Sequence, residues 1–426
     1  MHTGWWDWAP LQAMDIVVEE ANGEVLNDAV YNRNLTIQET MNCVVASYMT
    51  SGGPENGTPA IAKSIQAGDN EYDIALVRNW YFGNCVLNNY LIDMKDMPHV
   101  NFSNPWWNEN SLNSLSINGK SYGLLSHISI VDEKCLFVTY FNKNTIDEHG
   151  MQSPYEIVES GKWTYDTLFS MAETASADTN GDGFRDYTDT FGVAYLQDMT
   201  TGVLASCGVI FAAKDTDNLV VPTFASEHNF EVYTNIMSQL YNEDICFNTQ
   251  IRKDGYDGQD CSLFISGHSL FQLGGIYHAE LMRDMEDDFG MIPFPKYTED
   301  QQRYLTGALP TAIPMTCVLT TNTDLENTGI FMEYYSYLGY RDIMPAFYEN
   351  LLKGKVARDE ISSHMLDLIF ADPVVDIGVV YDFAAFPSNL MLQTNQKKLE
   401  VASYTQSNKE KYENAIAEFN AYMQED

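Results

Sequence analysis

Tyr72-Asp-Ile-Ala-Leu-Val-Arg-Asn-Trp-Tyr81 decides the architecture of this chain, because it joins a short apolar run to a polar, aromatic loop. Ile74 to Val77 is too short for a buried helix and rich in β-formers, so Tyr72–Val77 reads as a buried strand. Upstream, a Gly/Pro-rich loop (Ser51 to Pro59) leads into a helix carrying Ile61 and Ile65. Before that loop, Asp28 to Met41 has helical spacing of Val30, Leu35, Ile37 and Met41, and Cys43–Tyr48 reads as a strand. Strand, helix and strand in this order predict βαβ units, a parallel sheet and an α/β fold. In open α/β sheets ligands sit at the carboxyl ends of strands. Arg78, Asn79, Trp80 and Tyr81 follow directly and are candidates to contact one.

Downstream, Ser121–Leu125, Leu136–Tyr140, Ser269–Tyr277 and Phe289–Phe294 read as further strands, the last two belonging to a second sheet. A helix is predicted to open at Thr164, a good N-cap, with Leu168, Met171, Ala172 and Ala175 on one face. From Asp324 onward the pattern is mainly helical, and the capping box Ser407-Asn-Lys-Glu410 predicts the start of a last helix that turns Tyr412, Ile416 and Phe419 inward.

At 426 residues the chain is too long for one ordinary core. Its formal charge of −37 excludes nucleic acid as a partner, since phosphates need clustered Lys and Arg, and disfavours an anionic membrane surface. No apolar run approaches the ~18 residues of a membrane span, and no export signal is present. Met1-His-Thr-Gly-Trp5 reads as the start of an exported chain whose signal has been replaced by an initiator Met. Seven cysteines without a Cys-x-x-Cys pair give neither a zinc pattern nor a disulfide framework. Cys43, Cys135 and Cys317 lie in apolar stretches and are expected as buried thiols.

Between two of these segments lies Asp178-Thr-Asn-Gly-Asp-Gly-Phe-Arg-Asp-Tyr-Thr-Asp189. Side-chain oxygens from Asp178, Asn180, Asp182, Asp186 and Asp189 fill positions one, three, five, nine and twelve of a calcium loop. Gly183 takes the sharp turn and the Phe184 carbonyl serves position seven. Position twelve departs from the usual Glu. The strand-like Thr190–Leu196 that follows is not the second helix of an EF-hand, so the expectation is structural Ca²⁺; the alternative is a solvated acidic turn.

The whole resembles the extracellular solute-binding proteins of ABC importers, in their maltose-binding-protein-like group. The residues that carry the resemblance are Asn27-Asp-Ala-Val-Tyr-Asn-Arg-Asn34, Asn118-Gly-Lys-Ser-Tyr-Gly123, Tyr140-Phe-Asn-Lys143, Gly161-Lys-Trp-Thr-Tyr-Asp166, Ala308-Leu-Pro-Thr-Ala-Ile-Pro314 and Met365-Leu-Asp-Leu-Ile369. The resemblance implies a two-lobed periplasmic-binding-protein-like (type II) fold with a hinge and an interlobe ligand cleft. One lobe would comprise 1–130 and 300–345, the other 131–299 and 346–426. It implies an extracellular monomer, tethered to the outer face of the membrane by an N-terminal lipid, that hands a carbohydrate, an oligosaccharide, to permease subunits. Relatives open with a strand that delivers ligand contacts; here Trp5-Trp-Asp-Trp8 is either its end or all that remains after truncation.

The candidate ligand residues are therefore Trp6, Asp7, Trp8, Arg78, Asn79, Trp80, Tyr122, His127, Tyr277 and His278, with Trp80 and Tyr277 facing each other across the cleft. Stacked rings beside Arg and Asn suit the apolar faces and hydroxyl edges of a sugar. Three other readings stay open: a binder of amino acids or peptides, a secreted glycosidase, and a calcium-dependent adhesion module. A catalytic role is not expected. Gly267-His-Ser-Leu-Phe271 misses the last glycine of a nucleophile elbow, and no metalloprotease, phosphate-loop or dinucleotide motif occurs.

Overall fold

The computed structural model describes residues 1, 15–50, 56–251, 261–353, 360–394 and 396–425. The candidates Trp6, Asp7 and Trp8 lie outside the described residues.

Two sheets organise the chain. In the first, β1 (Ala75–Arg78) pairs antiparallel with β9 (Pro314–Cys317), so that Arg78 stands opposite Pro314. On the far side of β9, Leu124 bridges Thr316, and Leu91 bridges Leu319 just beyond the strand. The second sheet has the order β6-β3-β7-β2-β8. Its strands are β2 (Phe137–Asn142), β3 (Phe191–Tyr195), β6 (Cys246–Asn248), β7 (Ser269–Gly275) and β8 (Phe289–Pro293). β3 runs parallel to β6 and β7, whereas β2 runs antiparallel to β7 and β8. A separate hairpin joins β4 (Ala212–Lys214) to β5 (Val220–Pro222). All residues of β2, β3, β7 and β8 are buried. Continuous apolar runs suit strands covered on both faces.

Three segments cross between the sheets. Residues 126–136 lead from the first sheet into β2, and 294–313 return from β8 to β9. The two crossings pair antiparallel: Leu136 bridges Ala308, Phe137 donates to the Gly307 carbonyl at 2.8 Å and Leu309 to the Cys135 carbonyl at 2.9 Å. Residues 372–376, between the helices Glu360–Ala371 and Ile377–Tyr381, form the third crossing, where Pro373 bridges Thr306 in parallel. The first is anchored by the buried Asp15, whose carboxylate accepts from the Ile130 amide at 2.6 Å and from the Ser129 hydroxyl at 3.4 Å. Arg33 of the helix Val25–Met41 donates to the Asp15 and Ile128 carbonyls and lies 4.1 Å over the Tyr335 ring. One buried cation thus ties the N-terminal segment, the first crossing and the helix Leu325–Leu338 together.

Several expectations need correcting, among them Ser121–Leu125, which contributes only the Leu124 bridge and forms no regular strand. Cys43–Tyr48 is not a regular strand: Cys43 and Val45 pack partly against the core while Val44 is 75% exposed, but the segment pairs with no neighbouring strand among the described residues. The first sheet is not the parallel one predicted, since the partner of β1 comes from far along the chain. The last helix runs Val401–Gln424, so Ser407 is interior and not a cap. Val401 and Thr405, both buried, extend its inner face upstream of the motif. Thr164, by contrast, caps Tyr165–Ala175, accepting from the Thr167 amide at 3.3 Å. Cys135 and Cys317 are buried thiols as expected, whereas Cys43 is half-buried.

Candidate functional site

The crossings enclose a cavity of about 270 Å³. Leu125, Leu136, Ile313, Met315, Phe370 and Val380 give it apolar walls, and Gly307 and Ala308 form part of its floor. Its polar lining comes from four places. His127, Asp132 and Glu133 belong to the first crossing, Asn108 to the first sheet's side, Thr201 to the helix Thr200–Ser206, and Asp376 to the third crossing.

These groups are unevenly satisfied. Asp376 is buried, but it caps the helix Ile377–Tyr381 and accepts from the amides of Phe211 at 2.7 Å, Ala212 at 3.3 Å and Gly378 at 2.8 Å. Burial still lifts its pKa to about 6 against the pull of those amides. The Thr201 hydroxyl, on a residue only 5% exposed, has no hydrogen-bond partner, and neither does Glu133 Oε2. Each such group costs about 1–3 kcal/mol when it stays dry. Asp132 and Glu133 are adjacent on the short helix Val131–Lys134. Burial raises both carboxyls above the ordinary carboxylate range, and for Asp132 the neighbouring Glu133 charge adds to the rise. His127 Nε2 lies 3.7 Å from Glu133 Oε1, but burial holds the imidazole below its usual pKa, so it faces the acids as a neutral ring. Its Nδ1 lies 3.1 Å from the Trp106 carbonyl, and its face meets the Tyr340 ring edge-on.

Of the sequence-derived candidates, His127 alone lines the cavity among the described residues. Arg78 and Asn79 lie behind its wall. Asn79 donates its amide to Ile313 at 3.0 Å, and both polar atoms of its buried side chain lack partners. Trp80, half-buried in the helix Asn79–Leu87, is not among the lining residues. Tyr122 packs against Tyr422 of the last helix at 6.0 Å. Tyr277 is 1% exposed and its ring lies 4.2 Å from that of His278, folded back over the end of β7. A Cβ on Gly275 would fall 2.3 Å from Tyr277 Cε1, so the glycine makes room for that fold-back. In this arrangement Tyr277 offers no face to a ligand. The His278 imidazole is fully buried, accepts from the Gly275 amide at 3.1 Å and is held down to a pKa of about 3 by burial. Asp132, Glu133, Thr201 and Asp376 escape sequence reasoning: Val131-Asp-Glu-Lys134 looks like an ordinary solvated charge run, and nothing marks Thr201.

The acidic loop is a chain of side-chain-to-backbone turns. Asp178 accepts from the amides of Gly181 and Gly183, Asn180 from Asp182, and Asp182 from Phe184. Asp186 accepts from Thr188, while the fully buried Asp189 accepts from Thr179 and Asp186. Among the described residues no three acidic, His or Cys side chains converge on one point. The donor types suit calcium; as placed, their oxygens serve the loop itself.

No protein-family model matches the sequence, and no curated protein matches it. Solved structures do. An ABC substrate-binding protein from Listeria monocytogenes, in complex with cycloalternan, is similar at a TM-score of 0.62 and 14% identity, covering 93% of this chain and 97% of that one. A cyclic alpha-maltosyl-1,6-maltose binding protein from Arthrobacter globiformis is similar at 0.61 and 14%, covering 99% and 98%. UgpB from M. tuberculosis, in complex with glycerophosphocholine, is similar at 0.61 and 10%, covering 94% and 97%. With nearly the full length of this chain and of each neighbour covered, this chain has the two-lobed fold seen in ABC-importer substrate-binding proteins.

Proposed function

We propose that the protein is the substrate-binding component of an ABC importer and captures a carbohydrate, an oligosaccharide that seats one unit in the cavity. The observation that carries this is the pair of unsatisfied polar atoms, Thr201 Oγ1 and Glu133 Oε2, in a cavity otherwise walled by apolar side chains. Convergent polar groups in an apolar concavity are what a ligand with hydroxyl edges and C–H faces requires. Two of the similar structures, the substrate-binding protein in complex with cycloalternan and the cyclic alpha-maltosyl-1,6-maltose binding protein, support the same class.

The geometry favours binding over glycoside hydrolysis. Asp132 and Glu133 are chain neighbours on one wall, whereas a glycosidase needs its two carboxyl groups on opposite sides of the bond. Ser269 sits in β7 opposite Phe191, not on a strand-to-helix turn, so it has no nucleophile-elbow geometry. No described helix is long and apolar enough to cross a membrane. Placement outside the cell, a lipid tether, a monomeric state, permease subunits as partners and the lobe limits given above are part of the proposal. So is structural Ca²⁺ at Asp178–Asp189, supported by the donor types.

The test is a thermal-shift screen of the full chain against a glycan panel, with amino acids and peptides as controls. A glycan that raises the melting temperature in proportion to the logarithm of its concentration is the expected result. Hits confined to amino acids or peptides would overturn the substrate class.

A further inference from the structure

We propose that the saccharide taken by this cavity carries an amine, whose ammonium group sits against Asp132 and Glu133. The inference rests on the carbohydrate-binding reading and narrows it to a substrate class.

Charge in the cavity is one-sided. Its described lining includes Asp132, Glu133 and Asp376 and no Lys or Arg. Asp376 is already committed to three backbone amides, which leaves Asp132 and Glu133 as the acidic groups available to a ligand. The cations nearby are engaged elsewhere. Lys134 reaches Glu280 at 2.9 Å, and the buried Arg78 bears on the Cys135 thiol. His127 meets Glu133 as a neutral ring. Asp132 is 8% exposed and Glu133 has a 14% exposed side chain, so water screens the pair poorly.

In the free protein the two carboxyls hydrogen-bond each other, Asp132 as the protonated partner, and a purely neutral sugar would leave that shared proton in place. An ammonium group replaces the shared proton and donates to both carboxylates at once, and charge-assisted bonds of this kind are roughly twice as strong as neutral ones. Thr201 remains for a hydroxyl. A hydroxylated ring bearing an amine therefore fits this set of groups better than a neutral ring, a carboxylate or a phosphate; anionic ligands meet the acid pair with repulsion.

Isothermal titration of the full chain at pH 6.5 tests it, using glucosamine and chitotriose, their N-acetylated forms, glucose and maltotriose, and spermidine as a sugar-free amine. The expected result is that the free amines bind at least about tenfold tighter than their acetylated and neutral counterparts, a gap of ~1.4 kcal/mol. Glu133→Gln and Asp132→Asn should erase that gap while melting no lower than the parent, because each amide can donate to the carboxyl that remains. Equal or tighter binding of acetylated or neutral sugars would overturn the inference and leave the carbohydrate reading standing. Spermidine binding without any saccharide would overturn the carbohydrate reading. No binding by any probe would overturn both.

Discussion

Gly307 on the second crossing rests against Gly202 in the helix Thr200–Ser206 so tightly that a Cβ on Gly307 would stand 2.4 Å from the Gly202 Cα and 2.7 Å from its carbonyl oxygen. The neighbour is backbone and has little room to yield. A Cβ on Gly202 would in turn strike the Phe137 ring, which stacks on Phe294 with centroids 5.4 Å apart. Backbone approach at this point brings Thr201 and Gly307 into one cavity wall.

Gly307→Ala should therefore destabilise the protein by about 1–3 kcal/mol, the usual cost of overpacking, and weaken any ligand seated beside it. Urea unfolding measures the first effect and titration with a hit from the glycan screen the second. Wild-type stability would mean that the two segments are farther apart than described.

Thr201→Val gives opposite signs for stability and binding. The hydroxyl is buried without a partner, so exchanging it for a methyl of similar size should stabilise the ligand-free protein by about 1 kcal/mol. Binding of a glycan that uses the hydroxyl should weaken by a comparable amount. A loss of stability on substitution would show that Thr201 has an internal partner after all, and that the cavity has lost one of its ligand contacts.

Much of the frame is legible in the sequence, because it follows from patterns of local burial. Ser269–Gly275 and Phe289–Pro293 announce themselves as apolar runs, and Thr164 as a cap, because the same few residues both state the preference and satisfy it. Cys43–Tyr48 misleads because β-propensity is realised only where a neighbouring strand is at hand to pair with, even beside a core. Ser407 misleads for a related reason: Val401 and Thr405 find a buried groove, and packing carries the helix through a good capping motif. The cavity is hidden more deeply. Its polar groups come from two crossings, a helix and the first sheet's side, separated by up to hundreds of residues, and the pairing of Leu136 with Ala308 and of Thr306 with Pro373 assembles them.

Acid should expose His278. Its folded pKa, about 3, lies below the ordinary 6.5, so the unfolded chain binds the extra proton. Its stabilising contribution is complete above pH 6.5 and is lost as pH falls toward 3, on the order of a few kcal/mol across that window. Asp376 acts in the other direction: raised from 3.8 to about 6, it contributes stability that is present below 3.8 and lost as pH rises through 6. Chemical denaturation between pH 6.5 and 4 should thus show a shallower decline for His278→Asn than for the parent, and a steeper one for Asp376→Asn. Parallel profiles for all three proteins would mean that neither group is held as buried as described.

The loop Asp178–Asp189 already contains a cation of its own. Arg185 donates to the Ala177 carbonyl, reaches those of Thr190 and Asp244 at 2.8 Å each, lies 4.4 Å over the Phe191 ring and stands 3.8 Å from Asp189. It thereby clasps both ends of the loop to the strand that follows. Arg185→Gln should lower the melting temperature whether or not calcium is present, since it removes this clasp. Calcium, if it binds as proposed, should add a second, separable contribution. To coordinate the ion, Asp178 and Asp182 must release the amides of Gly181, Gly183 and Phe184, which predicts weak affinity, near the ~10⁻⁴ M of extracellular calcium modules. Protein stripped with EGTA and returned to 10 mM CaCl₂ would then gain about 2.7 kcal/mol, the value for a ligand at a hundredfold excess over its Kd. Asp182→Ala should abolish that gain without reproducing the loss seen for Arg185→Gln. If calcium gives neither heat on titration nor any change in melting temperature, the loop is a set of Asx turns closed by an arginine, and its calcium-like spacing reflects the turns alone.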